Sequence, residues 1–208
     1  MAWLVVCFFI DGTDGLLARR GRVSEVLPMI DGKNIDFITD FITYAFVPAY
    51  FIFKSGLVES SLAFESAAFV IVISAIYYGK QGMVSEKNQF SGFPVLWNLV
   101  VFYFFFVFNF DPLINTIFIF FFGVLHFLPI EISYPSKNIS SDKGPAIVGF
   151  SMLFVLLAIL YYYPSRITTL IILAYLGFGY FIFLSIKYTW FLDKKINEKT
   201  EERLSIND

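Results

Sequence analysis

Charged residues and cysteine are both scarce in this sequence, and each scarcity excludes a class of protein. Charged residues make up 15% of the 208 residues, whereas about a quarter is usual for a soluble domain. The formal net charge is only −2, which argues against a nucleic-acid partner, because such proteins carry a basic surface. Cys7 is the one cysteine, so an intrachain disulfide is excluded.

Long apolar segments are what the sequence has instead. Hydrophobic residues make up 58% of the chain, and the mean hydropathy is +0.72. A spanning helix needs about 20 mostly apolar residues, and seven segments approach that length. They cover residues 2–19, 32–53, 61–79, 93–110, 112–128, 145–163 and 168–190. The sequence therefore predicts an all-α, polytopic membrane bundle of about seven transmembrane helices in residues 1–190, followed by a charged cytoplasmic tail over residues 191–208.

The basic residues indicate how this bundle is oriented. Lysine and arginine accumulate on the cytoplasmic side of membrane proteins. If the loop after the first segment lies inside, all of the 15 basic residues except Lys54 and Arg166 lie on that side. The opposite orientation would invert the bias. We therefore expect an external N-terminus and an internal C-terminus.

Four aspartates fall in the first two segments, where charge is costly and needs a partner. With about 100° of turn per residue, one face of the first segment carries a signature of five residues, Asp11, Asp14, Gly15, Ala18 and Arg19. On the second segment Gly32, Asp36 and Asp40 follow an i, i+4, i+8 ladder. Two antiparallel helices can therefore direct four carboxylates to one point.

Carboxylates grouped in this way suit a hard cation such as Mg²⁺ or Mn²⁺. Two such ions would clamp a pyrophosphate and stabilise both the attacking and the leaving oxygen. Gly15, Ala18 and Gly32 are small enough for a nucleotide to approach the backbone, and Arg19 can make a two-pronged contact to phosphate. The alternative is that the acids cap helices or pair with neighbouring arginines. Four acids on two facing helices, with glycines spaced between them, favour the metal site.

These residues match the signature Asp-x-x-Asp-Gly-x-x-Ala-Arg, spacer, Gly-x-x-x-Asp-x-x-x-Asp at all of its fixed positions. In this the sequence resembles the CDP-alcohol phosphotransferases. The spacer of twelve residues between Arg19 and Gly32, and the stretches at residues 90–98 and 126–129, resemble the bacterial, phosphatidylcholine-forming branch of that family. Relatives carry one more spanning helix before the signature. We therefore expect that the N-terminus is truncated relative to the family.

The resemblance implies a phosphatidyltransferase of the bacterial inner membrane that condenses CDP-diacylglycerol with choline and releases CMP on the cytoplasmic side. It implies that Asp40 is the base, that Asp11, Asp14, Asp36 and Asp40 hold two Mn²⁺ or Mg²⁺ ions, and that Gly15, Ala18, Arg19 and Gly32 bind the CDP group. Besides membrane lipids, a second copy of the chain is an expected partner, because relatives commonly form homodimers.

The sequence gives only weak signals for the residues that would bind choline. Quaternary ammonium groups favour aromatic cages, which makes Trp97 and Tyr44 candidates, and Asn98 is a candidate for orienting the substrate. His126, the only histidine, is expected to be a hydrogen-bonded structural residue. Three alternatives stay open: the same chemistry with serine, inositol or glycerol phosphate as acceptor, a cation transporter that uses the intramembrane acids, and an inactive remnant.

Overall fold

The computed structural model describes residues 2–85, 89–134 and 143–191. Within them the chain forms two compact units. The first comprises the chain up to Gly79 together with Val95–Gly123, and the second comprises Lys80–Pro94 and the chain from Val124 onward. Of the charged tail predicted for residues 191–208, all but Phe191 lies outside the described residues.

The first unit is helical. Its helices are α1 (Ala2–Arg20), α2 (Val23–Val26), α3 (Gly32–Lys54), α4 (Ser60–Tyr78), α5 (Trp97–Phe108) and α6 (Pro112–Leu125), of which α6 ends in the second unit. Two helices change their winding part-way: α3 is π-helical over Phe41–Phe46, and α5 is π-helical over Tyr103–Phe108. A π turn bonds each residue to the fifth along the chain and holds more residues than an α turn.

Several buried polar side chains of the first unit hydrogen-bond to groups distant in the sequence. The indole Nε1 of Trp97, which is fully buried, donates to Ser74 Oγ at 2.9 Å. On α6, Asn115 Nδ2 donates to the carbonyl of Leu57 at 2.9 Å, and Thr116 Oγ1 accepts from the backbone N–H of Glu59 at 3.0 Å. These bonds hold the loop between α3 and α4, whose backbone would otherwise lack partners away from water.

The second unit combines a short strand pair with two long helices. Strand β1 (Phe90–Ser91) pairs antiparallel with β2 (Glu131–Ile132), so that Phe90 lies opposite Ile132. Helix α7 spans Gly144–Tyr162, and α8 spans Thr168–Ile186 with a π-helical continuation over Lys187–Phe191. Ser185 Oγ donates to the carbonyl of Glu131 at 3.0 Å, and the N–H of Glu131 donates to Thr189 Oγ1 at 2.8 Å. Strand β2 is thus fixed to α8.

His126 is buried in this second unit and hydrogen-bonds through Nδ1 to the carbonyl of Phe93. The expected hydrogen bond of His126 is thereby confirmed, and its structural role stays a prediction.

Four of the described helices are long and apolar enough to cross a membrane: α3, α4, α7 and α8, the last counted to Trp190. The predicted number of seven is not confirmed. Helix α1 has the length, but Asp11, Asp14 and its terminal arginines make it too charged. Helices α5 and α6 begin or end inside the predicted segments and have 12 and 14 residues, so at about 1.5 Å per residue each falls short of a bilayer core of about 30 Å.

Candidate active site

Three carboxylates converge at one place in the first unit. Asp11 lies on α1, whereas Asp36 and Asp40 lie one turn apart on α3. Each offers one carboxylate oxygen, and these three oxygens lie within 4.8 Å of one another, a group that can hold a metal ion. Like charges at this spacing repel one another, and a bound cation would relieve that repulsion. The sequence predicts that carboxylates on α1 and α3 converge, and this is confirmed for these three residues.

A further aspartate at the start of α3 has a different role from the two in the cluster. Asp31 is the N-cap: its side chain accepts from the N–H of Lys33 at 3.0 Å and of Asn34 at 3.3 Å, and from Asn34 Nδ2 at 2.8 Å. An aspartate at this position satisfies N–H groups that have no partner inside the helix. Capping is therefore the role of Asp31, whereas Asp36 and Asp40 are directed toward Asp11.

A tyrosine holds the third carboxylate in place. The hydroxyl of Tyr44 donates to Asp11 Oδ2 at 2.7 Å, and Tyr44 is only 5% exposed. Tyr44 lies in the π-helical segment of α3, one turn beyond Asp40. Sequence reasoning assigned Tyr44 to choline and missed this bond. Tyr44 continues the i+4 ladder of Gly32, Asp36 and Asp40, which indicates that it shares their face of the helix but not that it bonds to Asp11.

Three of the other signature residues on α1 are exposed. Asp14 is exposed on α1, one turn after Asp11, and is not among the three residues that converge within 4.8 Å. Its part in a metal site stays a prediction. Ala18 and Arg19 are also exposed. The Arg19 side chain folds back over Gly15: a Cβ built on Gly15 would lie 3.3 Å from Arg19 Nη1.

Open space surrounds the glycine that begins α3. A Cβ built on Gly32 would meet no other atom within 4 Å, so no contact inside the chain requires glycine at this position. Arg22 pairs with Glu25, at 3.9 Å, and Arg19 and Lys33 are exposed on α1 and α3. Space for a ligand and exposed positive charge therefore lie on the same two helices as the carboxylates.

The other candidates for choline binding lie apart from these contacts. Trp97 is fully buried, with its indole N–H bonded to Ser74, and Asn98 Oδ1 accepts from the N–H of Leu99 at 2.8 Å. Their part in substrate binding stays a prediction. Tyr78, at the end of α4, packs instead against rings that flank the aspartates: its ring centroid lies 6.0 Å from that of Phe37 and 6.2 Å from that of Phe41.

The chain is similar to bacterial phosphatidylcholine synthases. It is 41% identical over 135 residues to that of Mesorhizobium japonicum, 40% identical over 135 residues to that of Rhizobium meliloti and 36% identical over 137 residues to that of Legionella pneumophila. In each case the match covers 65% of this chain. No family model matches the sequence.

The chain spans about half the length of the curated relatives it matches: 50% of the Mesorhizobium protein, 56% of the Rhizobium protein and 53% of the Legionella protein.

Proposed function

We propose that this chain carries the active site of an enzyme that transfers a phosphatidyl group from CDP-diacylglycerol to choline, producing phosphatidylcholine and CMP. The observation that carries the proposal is the convergence of Asp11, Asp36 and Asp40 from two helices within 4.8 Å. The similarity to phosphatidylcholine synthases at about 40% identity supports the choice of donor and acceptor.

The donor set fits a divalent cation of the hard type. Three carboxylate oxygens within reach of one another are the ligands that Mg²⁺ and Mn²⁺ prefer. In this proposal Asp11, Asp36 and Asp40 hold the ions, and Asp14 adds a fourth carboxylate from the next turn of α1. When bound, a pair of such ions would neutralise the pyrophosphate charge of the donor.

Asp40 acts as the general base. Its carboxylate takes the proton of the choline hydroxyl, and the freed oxygen forms a bond to the phosphorus that carries diacylglycerol. The bond from that phosphorus to the bridging oxygen breaks, and CMP leaves with the bonding electron pair. Arg19 faces the developing charge on the phosphate oxygens as a two-pronged donor. The open surface at Gly32 admits the nucleotide close to the backbone.

Choline requires apolar or aromatic faces, because its ammonium has no hydrogen to donate. Tyr78 is half-buried, and its ring packs against Phe37 and Phe41, whose neighbours in the chain are Asp36 and Asp40. We propose that the ammonium group rests on the ring of Tyr78. Trp97 is the weaker candidate, because its ring is buried. A cation on such a face is stabilised by about 0.5–2 kcal/mol.

The site faces the cytoplasm in this proposal. The charged head of CDP-diacylglycerol cannot lie deep in hydrocarbon, and Arg19 and Arg20 at the end of α1 mark the cytoplasmic surface by the positive-inside rule. In this proposal the protein lies in the inner membrane of a bacterium and forms a homodimer. The lipid donor reaches the site from the bilayer beside α1 and α3.

A radiolabel experiment tests the proposal directly. Membranes that contain the protein are incubated with CDP-diacylglycerol, Mn²⁺ and labelled choline, serine, inositol or glycerol phosphate in separate reactions. We expect labelled phosphatidylcholine from choline, formed about 10²–10⁴-fold more slowly by the Asp40→Asn variant. Label entering the lipid of another acceptor would reject choline but keep the transfer chemistry, whereas no labelled lipid from any acceptor would reject the transferase.

A further inference from the structure

The hydrogen bond between Tyr44 and Asp11 has no part in the transfer chemistry described above. It joins residues 33 positions apart, on α3 and α1, at a donor–acceptor distance of 2.7 Å. With Tyr44 only 5% exposed, water cannot readily replace its hydroxyl. The bond therefore lies within the site and is sheltered on the side of Tyr44.

The three carboxylates differ in how their orientation is fixed. Asp36 and Asp40 share one helix, so the helix itself sets their spacing. Asp11 comes from α1, and the torsion that rotates its carboxylate is broad and shallow. A bond to Oδ2 from a buried hydroxyl on α3 restricts that rotation and ties Asp11 to the helix that carries the other two carboxylates.

The winding of α3 brings Tyr44 to this position. Gly32, Asp36, Asp40 and Tyr44 follow one another at steps of four, and on an α-helix each such step drifts by about 40°. The segment Phe41–Phe46 is π-helical, and its larger turn lets Tyr44 stay closer to the line of the two aspartates than an α turn would. Local departures of this kind are frequent at functional sites.

We propose that Tyr44 is a positioning residue, which orients Asp11 for binding a divalent cation. The inference rests on the proposed function in one respect, the assignment of the cation to the three carboxylates. Hydrogen-bond partners of metal ligands fix the ligand's orientation, and their loss commonly weakens metal binding about 10–100-fold. Tyr44 then serves the metal site rather than choline.

Replacing the hydroxyl alone tests this role. Tyr44→Phe keeps the ring and its packing, and Tyr50→Phe is the matched control, because Tyr50 lies on the same helix and is 61% exposed. Mn²⁺ affinity is measured on purified protein by electron paramagnetic resonance, without substrates. We expect Tyr44→Phe to weaken Mn²⁺ binding about 10–100-fold and Tyr50→Phe to leave it unchanged. Tyr44→Met, which also lacks the hydroxyl, should match Tyr44→Phe.

A double-variant cycle with Asp11→Asn shows whether Tyr44 acts through Asp11. In the Asp11→Asn background, Tyr44→Phe should cause no further loss of Mn²⁺ affinity. The inference is overturned if the parent protein binds no Mn²⁺, if Tyr44→Phe binds it normally, or if that variant only raises the KM for choline. If Tyr44→Phe weakens Mn²⁺ binding while the parent forms no labelled lipid, the positioning role stands and the proposed transferase fails.

Discussion

Asp31, Asp36 and Asp40 lie within ten residues of one another at the start of α3, but they have two different roles. Asp31 accepts hydrogen bonds from the N–H groups of Lys33 and Asn34, which an asparagine could do nearly as well. Asp36 and Asp40 point instead toward Asp11. The same chemical change, aspartate to asparagine, should therefore have little effect at Asp31 and a large effect at Asp40.

Asp40→Asn keeps the size of the side chain but removes the basic oxygen. We expect turnover to fall by about 10²–10⁴-fold, which is the usual contribution of general base catalysis, with a smaller effect on nucleotide binding. Rates and CDP-diacylglycerol KM in purified protein measure the two effects. Asp31→Asn is the control and should retain both activity and thermal stability. Equal losses of binding and turnover in Asp40→Asn would make Asp40 chiefly a ligand.

Gly32→Ala separates space needed for a ligand from space needed for folding. A methyl group at Gly32 meets nothing within 4 Å, and alanine in a helix is favoured over glycine by roughly 1 kcal/mol. The variant should therefore be at least as stable as the parent, while its KM for CDP-diacylglycerol rises several-fold. Gly12→Ala on α1 also has open space; it should be at least as stable as the parent and should leave the KM unchanged. An unchanged KM in Gly32→Ala would remove Gly32 from the nucleotide site.

Among the elements, the turn after β1 depends most strictly on its sequence. Gly92 has a φ of +85°, and a Cβ there would lie 2.0 Å from the carbonyl oxygen of His126. A backbone atom cannot move away as a side chain can. The turn therefore requires glycine at position 92 for two reasons: the positive φ, and the short distance between Gly92 and the backbone of His126.

Gly92→Ala and Gly82→Ala form a matched pair that separates these two requirements. Gly82 also has a positive φ, of +74°, but has open space around it, so its alanine variant should lose only about 1–2 kcal/mol. Gly92→Ala adds a steric clash, and we expect a total loss of roughly 2–5 kcal/mol. Thermal unfolding in detergent measures both variants. Equal melting temperatures would contradict the packing around His126.

Elements whose signals are local could be predicted from the sequence. The Asp31–Gly32 start and the spacing of Asp36 and Asp40 are properties of a single helix, and the structure has α3 beginning at Gly32. The same holds for α4, α7 and, counted with its π-helical continuation, α8, whose observed ends lie within a residue of the predicted ones. Apolar length and turn residues determine these helices without help from distant parts of the chain.

Features that depend on distant contacts could not be predicted in this way. Helix α5 begins at Trp97 rather than at residue 93, because Gly92 and Phe93 pack against the turn at His126. The pairing of Phe90 with Ile132 joins residues far apart in the chain, and strands of two residues leave no alternating pattern. The bond from Tyr44 to Asp11 likewise depends on how α1 lies on α3 and on the π-helical segment, which apolar periodicity does not reveal.

For the whole molecule, the distribution of basic residues predicts which loops face the cytoplasm. In a Cys7→Ser background, single cysteines are introduced at Ser165, between α7 and α8, and at Gln81, after α4; both positions are exposed. A membrane-impermeant thiol reagent applied to spheroplasts should label Ser165→Cys and should reach Gln81→Cys only after lysis. The reverse pattern would invert the orientation and place the acidic cluster on the outer side.

Because the acidic cluster draws on two separate helices, cation binding and the docking of α1 on α3 are thermodynamically linked. An ion held by Asp11, Asp36 and Asp40 together binds only the docked state, and at a concentration 100 times its Kd it would stabilise that state by about 2.7 kcal/mol. We therefore expect Mn²⁺ to raise the melting temperature of the detergent-solubilised protein, and Asp36→Asn to abolish most of that rise. An equal rise in both proteins would mean that the ion binds elsewhere. Extraction buffers without a divalent cation would then favour the release of α1 from α3.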